Sequence, residues 1–582
     1  MAGPERYAFG DLELDVTERR LSRSGRHVTV APKAYDVLVH LVRNAGRLVT
    51  KRELLDQIWT ESFVEEGILS VHVSGLRKTL GDDDRSPRYI ETVARSGYRF
   101  IATVTSPDRD QPGAPMRTAI AVLPAQPADG EASEATRAVG LALAAAVIDR
   151  LGRFEQIAVR PVRAVHTRPV AETDPVAIGR ALHVDAVVVA RFEKAAERMR
   201  VAARLLRTQD GAPLWSGEYD EFPSSEASIP DAIAESIAAS LDARAVTRRT
   251  AGVFGNWADA RRQPRAPAHP EIYELVGRGR SHLLAFSMSD VPKAIAAFEA
   301  AIERDPAFAG APAGLALAFC QQAELRLAPP AEAYARAKTA ALRALALDEA
   351  CADAQVALGA ISFLGHWDWI GAERSLQRAL ELNPNHTEAY VLYGRLLDAL
   401  GRLDEGLEMK QRALDRDPFS PFVHLAISMS YWHQRRFEDS IAWANKTLAL
   451  DPRHLIAREH LAGAYWAMGD FDRHMAENIK HAEAYGVPAD ALAPMKEAYA
   501  AGGRPEVIRR LLAAHATSLP AMQLALLHGE LGDLDTAIAQ LERAIDTHEP
   551  CLVDLAVGPQ WDHLRGDARF RQCLARMGLA AG

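Results

Sequence analysis

Cysteine is scarce. The 582 residues hold four (Cys320, Cys351, Cys551 and Cys573), with no CxxC spacing among them. That excludes a disulfide scaffold and a thiolate metal site, and reduced, buried thiols are expected. Long apolar runs are missing too. The N-terminal stretch MAGPERYAFGDLELD has no hydrophobic segment of the signal-peptide kind. The longest uncharged apolar stretch near a domain junction, 138–148, is about half a membrane span. A wholly cytoplasmic chain is therefore expected. Nor is there a surplus of positive charge. The net charge of −9 excludes a protein that coats nucleic acid or anionic membrane without selectivity. Catalytic signatures are absent as well: no GxxxxGK[ST], no HExxH, no GxSxG, and no nucleophile–base pair or metal constellation. No enzyme activity, no cofactor and no metal are expected.

What is present is concentrated first in 63–100. Leu69, Val73, Leu76 and Leu80 recur at i, i+4, i+7 and i+11, the stripe of one buried helix face. At about 100° per residue the opposite face carries Val71, Ser74, Gly75 and Lys78, flanked by Ser70 and Arg77. Small side chains in the middle permit close approach to a groove, and cations at the C-terminal end suit phosphates. An acidic turn follows. Then Tyr89 to Val93 and Tyr98 to Ile101 alternate in the strand period around Arg95-Ser96-Gly97, a hairpin with a basic tip. Helix plus hairpin is the plan of a winged helix.

The strings VHVSGLRKTL (71–80) and IETVARSGYRF (90–100) resemble the OmpR/PhoB-type DNA-binding domain of bacterial response regulators, over about residues 7–104. The resemblance implies that His72 and Arg77 hold phosphates, that Ser70, Val71, Ser74 and Gly75 reach base edges, and that Thr92 grips the backbone beside the wing. Lys78 and Arg95 join them as expected DNA contacts. Relatives often carry arginine where this chain has Ser74 and Gly75. The loop 59–66, with Glu61, Glu65 and Glu66, corresponds to one that can touch RNA polymerase in relatives. A receiver domain is not expected ahead of the head, since about six residues precede its first strand.

Residues 1–104 hold 16 Lys and Arg against 15 Asp and Glu, so affinity for DNA must come from the placement of cations. Weak alternation over 7–30 predicts short antiparallel strands. Pro32 opens a helix with an apolar face from Ala34 to Val42, ended by Gly46. Thr50-Lys51-Arg52-Glu53 is a capping box, with Val49 and Leu54 spaced as a hydrophobic staple, and the helix it starts ends near Trp59.

The chain beyond is multidomain. Proline-rich 105–116 predicts a linker. Residues 117–245 alternate apolar strands (near 120–123, 157–159, 186–189, 201–206 and 213–216) with helical stretches (133–152, 174–182, 229–242), the pattern of a small α/β domain. Its motifs resemble the TolB-like module. His183 and Asp185 there are expected to be turn residues. Basic 246–270 predicts a second linker.

From 271 the strands stop and a repeat begins. Asn383-Pro384, Asp417-Pro418 and Asp451-Pro452 recur every 34 residues, the tetratricopeptide (TPR) period. Ala360, Gly394 and Ser428 take the small position of the first helix, Phe363, Leu397 and Tyr431 the bulky one, and Ala379 and Ala413 the small one of the second helix. An all-α solenoid over 271–578 is expected, with irregular links near 325–332 and 485–520 and a closing helix at 570–577. Trp367, Trp369, Trp432, Trp443 and Trp466 read as packing between hairpins.

Together these features predict a winged helix-turn-helix (α+β) head over 4–104, an α/β middle domain and a TPR solenoid. The functional expectation is a transcription regulator that binds double-stranded DNA, as a DNA-dependent dimer by analogy with relatives, and senses or recruits a protein or peptide through its repeats. The alternative is a protein-interaction scaffold whose winged helix docks protein.

Overall fold

The computed structural model describes residues 6–102 and 118–579, apart from 10–11, 17–19, 24–25, 29, 44–47, 59–66, 84–86, 94–95, 131–132, 155, 162–173, 196–197, 222–228, 247–270, 286, 485 and 489. The expected linker at 105–116, most of that at 246–270, the end of the first helix at Gly46 and the loop 59–66 fall outside the described residues. The chain divides into two compact units, Met1–Met116 and Arg117–Gly582.

In the first unit, the alternating N-terminal stretches pair in sequence order as an antiparallel sheet: β1 (Arg6–Phe9), β2 (Leu12–Asp15), β3 (Arg20–Arg23) and β4 (Arg26–Val28). Alternation sends Phe9, Leu12, Leu14 and Leu21 into the core. Helix α1 (Pro32–Arg43) starts on proline, whose missing N–H is harmless in the first turn. After β5 (Leu48–Thr50), helix α2 (Lys51–Ile58) begins with its expected cap: Thr50 Oγ1 accepts the Glu53 N–H at 3.1 Å. Val49 and Leu54 are both buried in the same core. Helix α3 (Gly67–Leu80) follows, then the hairpin β6 (Ile90–Val93) and β7 (Gly97–Phe100), with β7 between β5 and β6. A Cβ on Gly97 would lie 2.0 Å from the Val49 carbonyl, so only glycine lets β7 come this close to β5. Phe9 meets Tyr89 and Phe100 edge-on, with ring centroids 5.8 and 5.0 Å apart, tying the first sheet to the wing.

The second unit opens with a six-stranded sheet built from β8 (Thr118–Val122), β9 (Gln126–Pro127), β10 (Ile157–Val159), β11 (Ala186–Ala195), β12 (Arg198–Arg207) and β13 (Pro213–Glu221). The order is β10-β8-β11-β12-β13, with β9 also on β11. Parallel β10, β8 and β11 give way to an antiparallel meander. Helices α4 (Glu134–Leu151), α5 (Pro175–Ala181) and α6 (Ile229–Val246) accompany it. Every expected strand and helix is present, and β9 is additional. The Asp185 carboxylate accepts the Ala119 N–H at 2.8 Å and His183 takes a left-handed φ of 52°, so both serve the turn before β11.

Helical hairpins fill the remainder: α7 (Glu271–Ala285) and α8 (Val291–Arg304), α9 (Gly310–Glu324) and α10 (Pro330–Leu347), then α11 (Ala352–Ala360), which runs through a π turn at Ile361–Gly365, and α12 (Trp369–Leu382). Next come α13 (Thr387–Ala399) and α14 (Leu403–Arg416), α15 (Pro421–His433) and α16 (Phe437–Leu450), and α17 (Leu455–Ala467) and α18 (Phe471–Ala484). Asn383, Asp417 and Asp451 are the C-caps of α12, α14 and α16, and the proline after each prevents continuation. The small positions work as expected: Ala379 and Ala413 are fully buried, and Ser428 Oγ donates to the Ser440 carbonyl at 2.7 Å across a hairpin.

One expectation is corrected. The span 485–520 contains a helix, α19 (Ala493–His515), bent where Gly502 and Gly503 leave helical φ/ψ and Pro505 restarts the turn. Those three residues break the periodicity without ending the helical structure. Helices α20 (Ala521–Glu530), α21 (Leu534–Asp546) and α22 (Ala568–Arg576) complete the array.

The sheet domain and the array share one body. A Cβ on Gly277 of α7 would sit 1.9 Å from the Ala138 carbonyl of α4, so these helices touch backbone to backbone. Buried Arg160, just after β10, donates to the Asp415 and Arg416 carbonyls at the end of α14 (2.7 and 2.9 Å) and to those of Leu182 and His183 (both 3.2 Å). One guanidinium thus satisfies four carbonyls from two regions.

Candidate nucleic-acid interface

Helix α3 is two-faced. Leu69, Val73, Leu76 and Leu80 are all buried, each worth about 1.5–3 kcal/mol by removal from water. Ser70, Val71, Ser74, Gly75 and Lys78 are exposed, Val71 by 69 %. A Cβ added to Gly75 would meet no atom within 4 Å, so the middle of this face is open. His72 is half-buried at the flank. Lys78 forms no ion pair among the described residues.

Several bonds fix the helix against the wing. Arg77 Nη2 donates to the Ile90 carbonyl at 2.7 Å and to Thr92 Oγ1 at 2.8 Å. Asp82 accepts the backbone N–H groups of Arg88, Tyr89 and Ile90 at 2.6, 3.2 and 2.8 Å, holding the start of β6. Arg23 of β3 donates to the Leu80 carbonyl at 2.7 Å, closing the C-terminal end of α3. Ser70 Oγ lies 3.5 Å from the Tyr98 hydroxyl. The structure therefore brings Ser70, Val71, His72, Ser74, Gly75, Arg77 and Lys78 together on one helix, with Thr92 beside them. Arg95 lies outside the described residues. Sequence reasoning missed Asp82 and Arg23. The acidic turn was visible, but its bond pattern depends on where the hairpin returns.

Four tryptophans of the array, Trp367, Trp369, Trp432 and Trp466, reach its own C-terminal part. Trp367 stacks on His548 at 4.5 Å, and Trp369 Nε1 donates to the Met577 carbonyl at 2.8 Å. Trp432 Nε1 reaches Gln560 Oε1 at 3.3 Å, and Trp466 Nε1 reaches Glu530 Oε2 at 3.1 Å. Trp443 packs against His424 and under the Lys446 ammonium. Between these contacts lies a buried ionic cluster. Lys410 Nζ donates to Asp398 and, at 2.7 Å, to Ser430 Oγ. His433 lies between Asp398 at 3.2 Å and Asp554 at 3.8 Å. Burial opposes charge on His433, but Asp554 and Asp398 outweigh it and push the imidazole up to about 9. Burial also opposes charge on Asp554, yet His433, Arg395 and Lys410 hold it down at about 2. The arrangement staples 550–564 to the first helices of the repeats.

A two-faced helix, braced on a hairpin and preceded by a small antiparallel sheet, defines a winged helix-turn-helix DNA-binding domain. Residues 25–100 match the family model for the C-terminal domain of transcriptional regulatory proteins, the OmpR/PhoB type. Tetratricopeptide repeat models match 367–428 and 521–547. Among curated proteins, the chain is similar to the transcriptional regulator HilA of Salmonella typhi, 39 % identical over 132 residues, 22 % of this chain and 23 % of that protein. It is also similar to the transcriptional activator CadC of Escherichia coli, 37 % identical over 86 residues, 15 % of this chain and 17 % of CadC. A solved DNA-binding domain of E. coli CadC aligns at 31 % identity over 18 % of this chain and 96 % of that one, with a TM-score of 0.17. The chain thus spans less than a quarter of HilA and of CadC. No helix among the described residues is long and apolar enough to cross a membrane.

Proposed function

We propose that this protein is a transcription regulator that reads duplex DNA with α3 in the major groove. The observation that carries the reading is the open outward face of α3 (Val71, Ser74, Gly75, Lys78) beside a braced wing, within a domain of the family found in transcriptional regulators. Ser70, Val71, Ser74 and Gly75 approach base edges, with Val71 offering apolar contact to a thymine methyl. His72, Arg77, Lys78, Thr92 and Arg95 position the domain on phosphates. Arg77 keeps its bonds to the wing while doing so, and one guanidinium has donors enough for both. The loop 59–66 meets RNA polymerase, and paired heads occupy tandem half-sites. The TolB-like middle domain and the TPR array receive the signal, in the form of a protein or peptide partner.

Selection of duplexes from a random-sequence pool by the full chain tests this reading. The wild type is expected to recover a shared motif, and Val71→Glu, which places a carboxylate against the bases, to lose it. Equal recovery of unrelated sequences by both would favour the scaffold reading.

A further inference from the structure

A groove of about 400 Å³ runs between α8 and α10, with α9 beneath it. That volume lies in the range of small-molecule sites. Ile302, Pro312, Leu315, Phe319 and Ala340 give it an apolar floor and walls. Its rim is exposed, with Glu299 on α8 and Ala335, Arg336, Thr339 and Arg343 on α10. Arg336 and Arg343 are seven residues apart, so they share one face of α10 and stand about 10 Å apart along its axis.

The charge of the rim is one-sided. Glu299 is the single acid of the lining, against two guanidiniums. Arg336 Nη2 reaches Glu299 Oε1 at 3.4 Å, a long contact between exposed side chains that water screens. The Arg336 guanidinium lies over the Phe319 ring, 4.1 Å from its centroid. Arg343 Nη2 donates to the Pro306 carbonyl at 3.2 Å and forms no ion pair among the described residues. Each arginine therefore keeps N–H donors and positive charge at the edge of an apolar trough. A cationic ligand would be repelled by both. A neutral apolar ligand would leave both unused. A ligand with an apolar body and a carboxylate suits floor and rim together, because the guanidinium fork matches a carboxylate.

We infer that this groove binds a small organic acid, its apolar body on Leu315 and Phe319 and its carboxylate at the edge formed by Arg336 and Arg343. Such a ligand would tie two successive hairpins of the array together, since α8 and α10 belong to different ones. The inference goes beyond the DNA-reading role and does not rest on it.

Calorimetric titration of the full chain with hexanoate tests it, with hexanol and hexylammonium as neutral and cationic counterparts of the same length. Saturable binding of hexanoate is expected, with weaker binding of hexanol and none of hexylammonium. Arg343→Gln, at an exposed position, is expected to weaken hexanoate binding about threefold and to make it less salt-sensitive, and Arg343→Lys to restore most of it. Glu299→Gln releases Arg336 and is expected to tighten binding about twofold. Ala335→Trp fills the groove from an exposed helix position and is expected to abolish binding while the melting temperature stays near wild type. The site is refuted by no saturable heat up to ~20 mM hexanoate, a range that small fragments reach. Equal binding of hexanol, or unchanged affinity in the Arg343→Gln and Ala335→Trp proteins, refutes it too. Hexanoate binding that disappears as protein concentration rises would give the groove to a second copy of the chain instead.

Discussion

Arg77 Nη2 and Thr92 Oγ1 are 2.8 Å apart, and this bond joins the exposed helix α3 to the wing strand β6. With the 2.7 Å bond from the same nitrogen to the Ile90 carbonyl, it fixes the angle between the two elements that must meet DNA together. Thr92→Val removes the hydroxyl and keeps the shape. The head is expected to lose about 1 kcal/mol of stability, since a hydrogen bond to a charged group is lost at an exposed site. Urea unfolding of residues 1–116, a compact unit, measures this, and Thr92→Ser should be neutral.

Arg160 closes four carbonyls between the sheet domain and the array. Arg160→Leu leaves those acceptors buried without donors, each costing about 1 kcal/mol or more. The variant is expected to loosen the joint. Limited proteolysis should then separate the region around β10 from the repeats while secondary structure by circular dichroism stays near wild type.

Lys410 and Asp398 are both fully buried. Lys410→Met leaves the buried Asp398 carboxylate with only His433 and Ser430 as partners, and the array is expected to lose about 3 kcal/mol. Lys410→Met with Asp398→Leu removes both charges and should recover much of that loss. Thermal unfolding of the two variants measures the coupling.

The same cluster sets a pH dependence. His433, raised to about 9 in the fold, lends stability that is complete below its unfolded value of about 6.5 and is lost as pH rises through about 9. Burial, and then the charge of His433, push His460 down to about 4. Its neutral form therefore lends stability above about pH 6.5 that is lost as pH falls through about 4. Asp554, held at about 2, adds stability above about pH 3.9 that is lost as pH falls through about 2. The melting temperature of the array should peak near pH 6.5. His433→Gln should flatten the alkaline limb by about 3 kcal/mol at most.

Local pattern carried most of this architecture. The i, i+4, i+7, i+11 stripe of α3, the strand alternation of β6 and β7 and the 34-residue recurrence of a capped proline each concern residues within a turn, a hairpin or one repeat of one another. Such features are fixed by backbone periodicity, and they lie where expected. What the sequence hid depends on contacts far along the chain. Arg160 meets carbonyls about 255 residues away, and Asn385 meets Ile157 across 228. Neither residue has a local signature. Arg77 illustrates a third case. As a cation at the end of an exposed helix face it reads as a phosphate contact, but only the returning hairpin shows that it also braces the wing. The bent α19 was hidden for a different reason, since two glycines and a proline have the local signature of a loop.

The most direct test of the DNA-reading account is the salt dependence of full-chain binding to the duplex upstream of its own gene, with Lys78→Ala beside wild type. Lys78 is exposed and forms no ion pair among the described residues, so its loss should not disturb the fold. The account predicts that log K falls linearly with log[salt] at about −0.9 per phosphate contact, and that the variant loses about one contact's worth of slope. Wild type and variant binding equally weakly, with the same slope and no preference over random DNA, would contradict it.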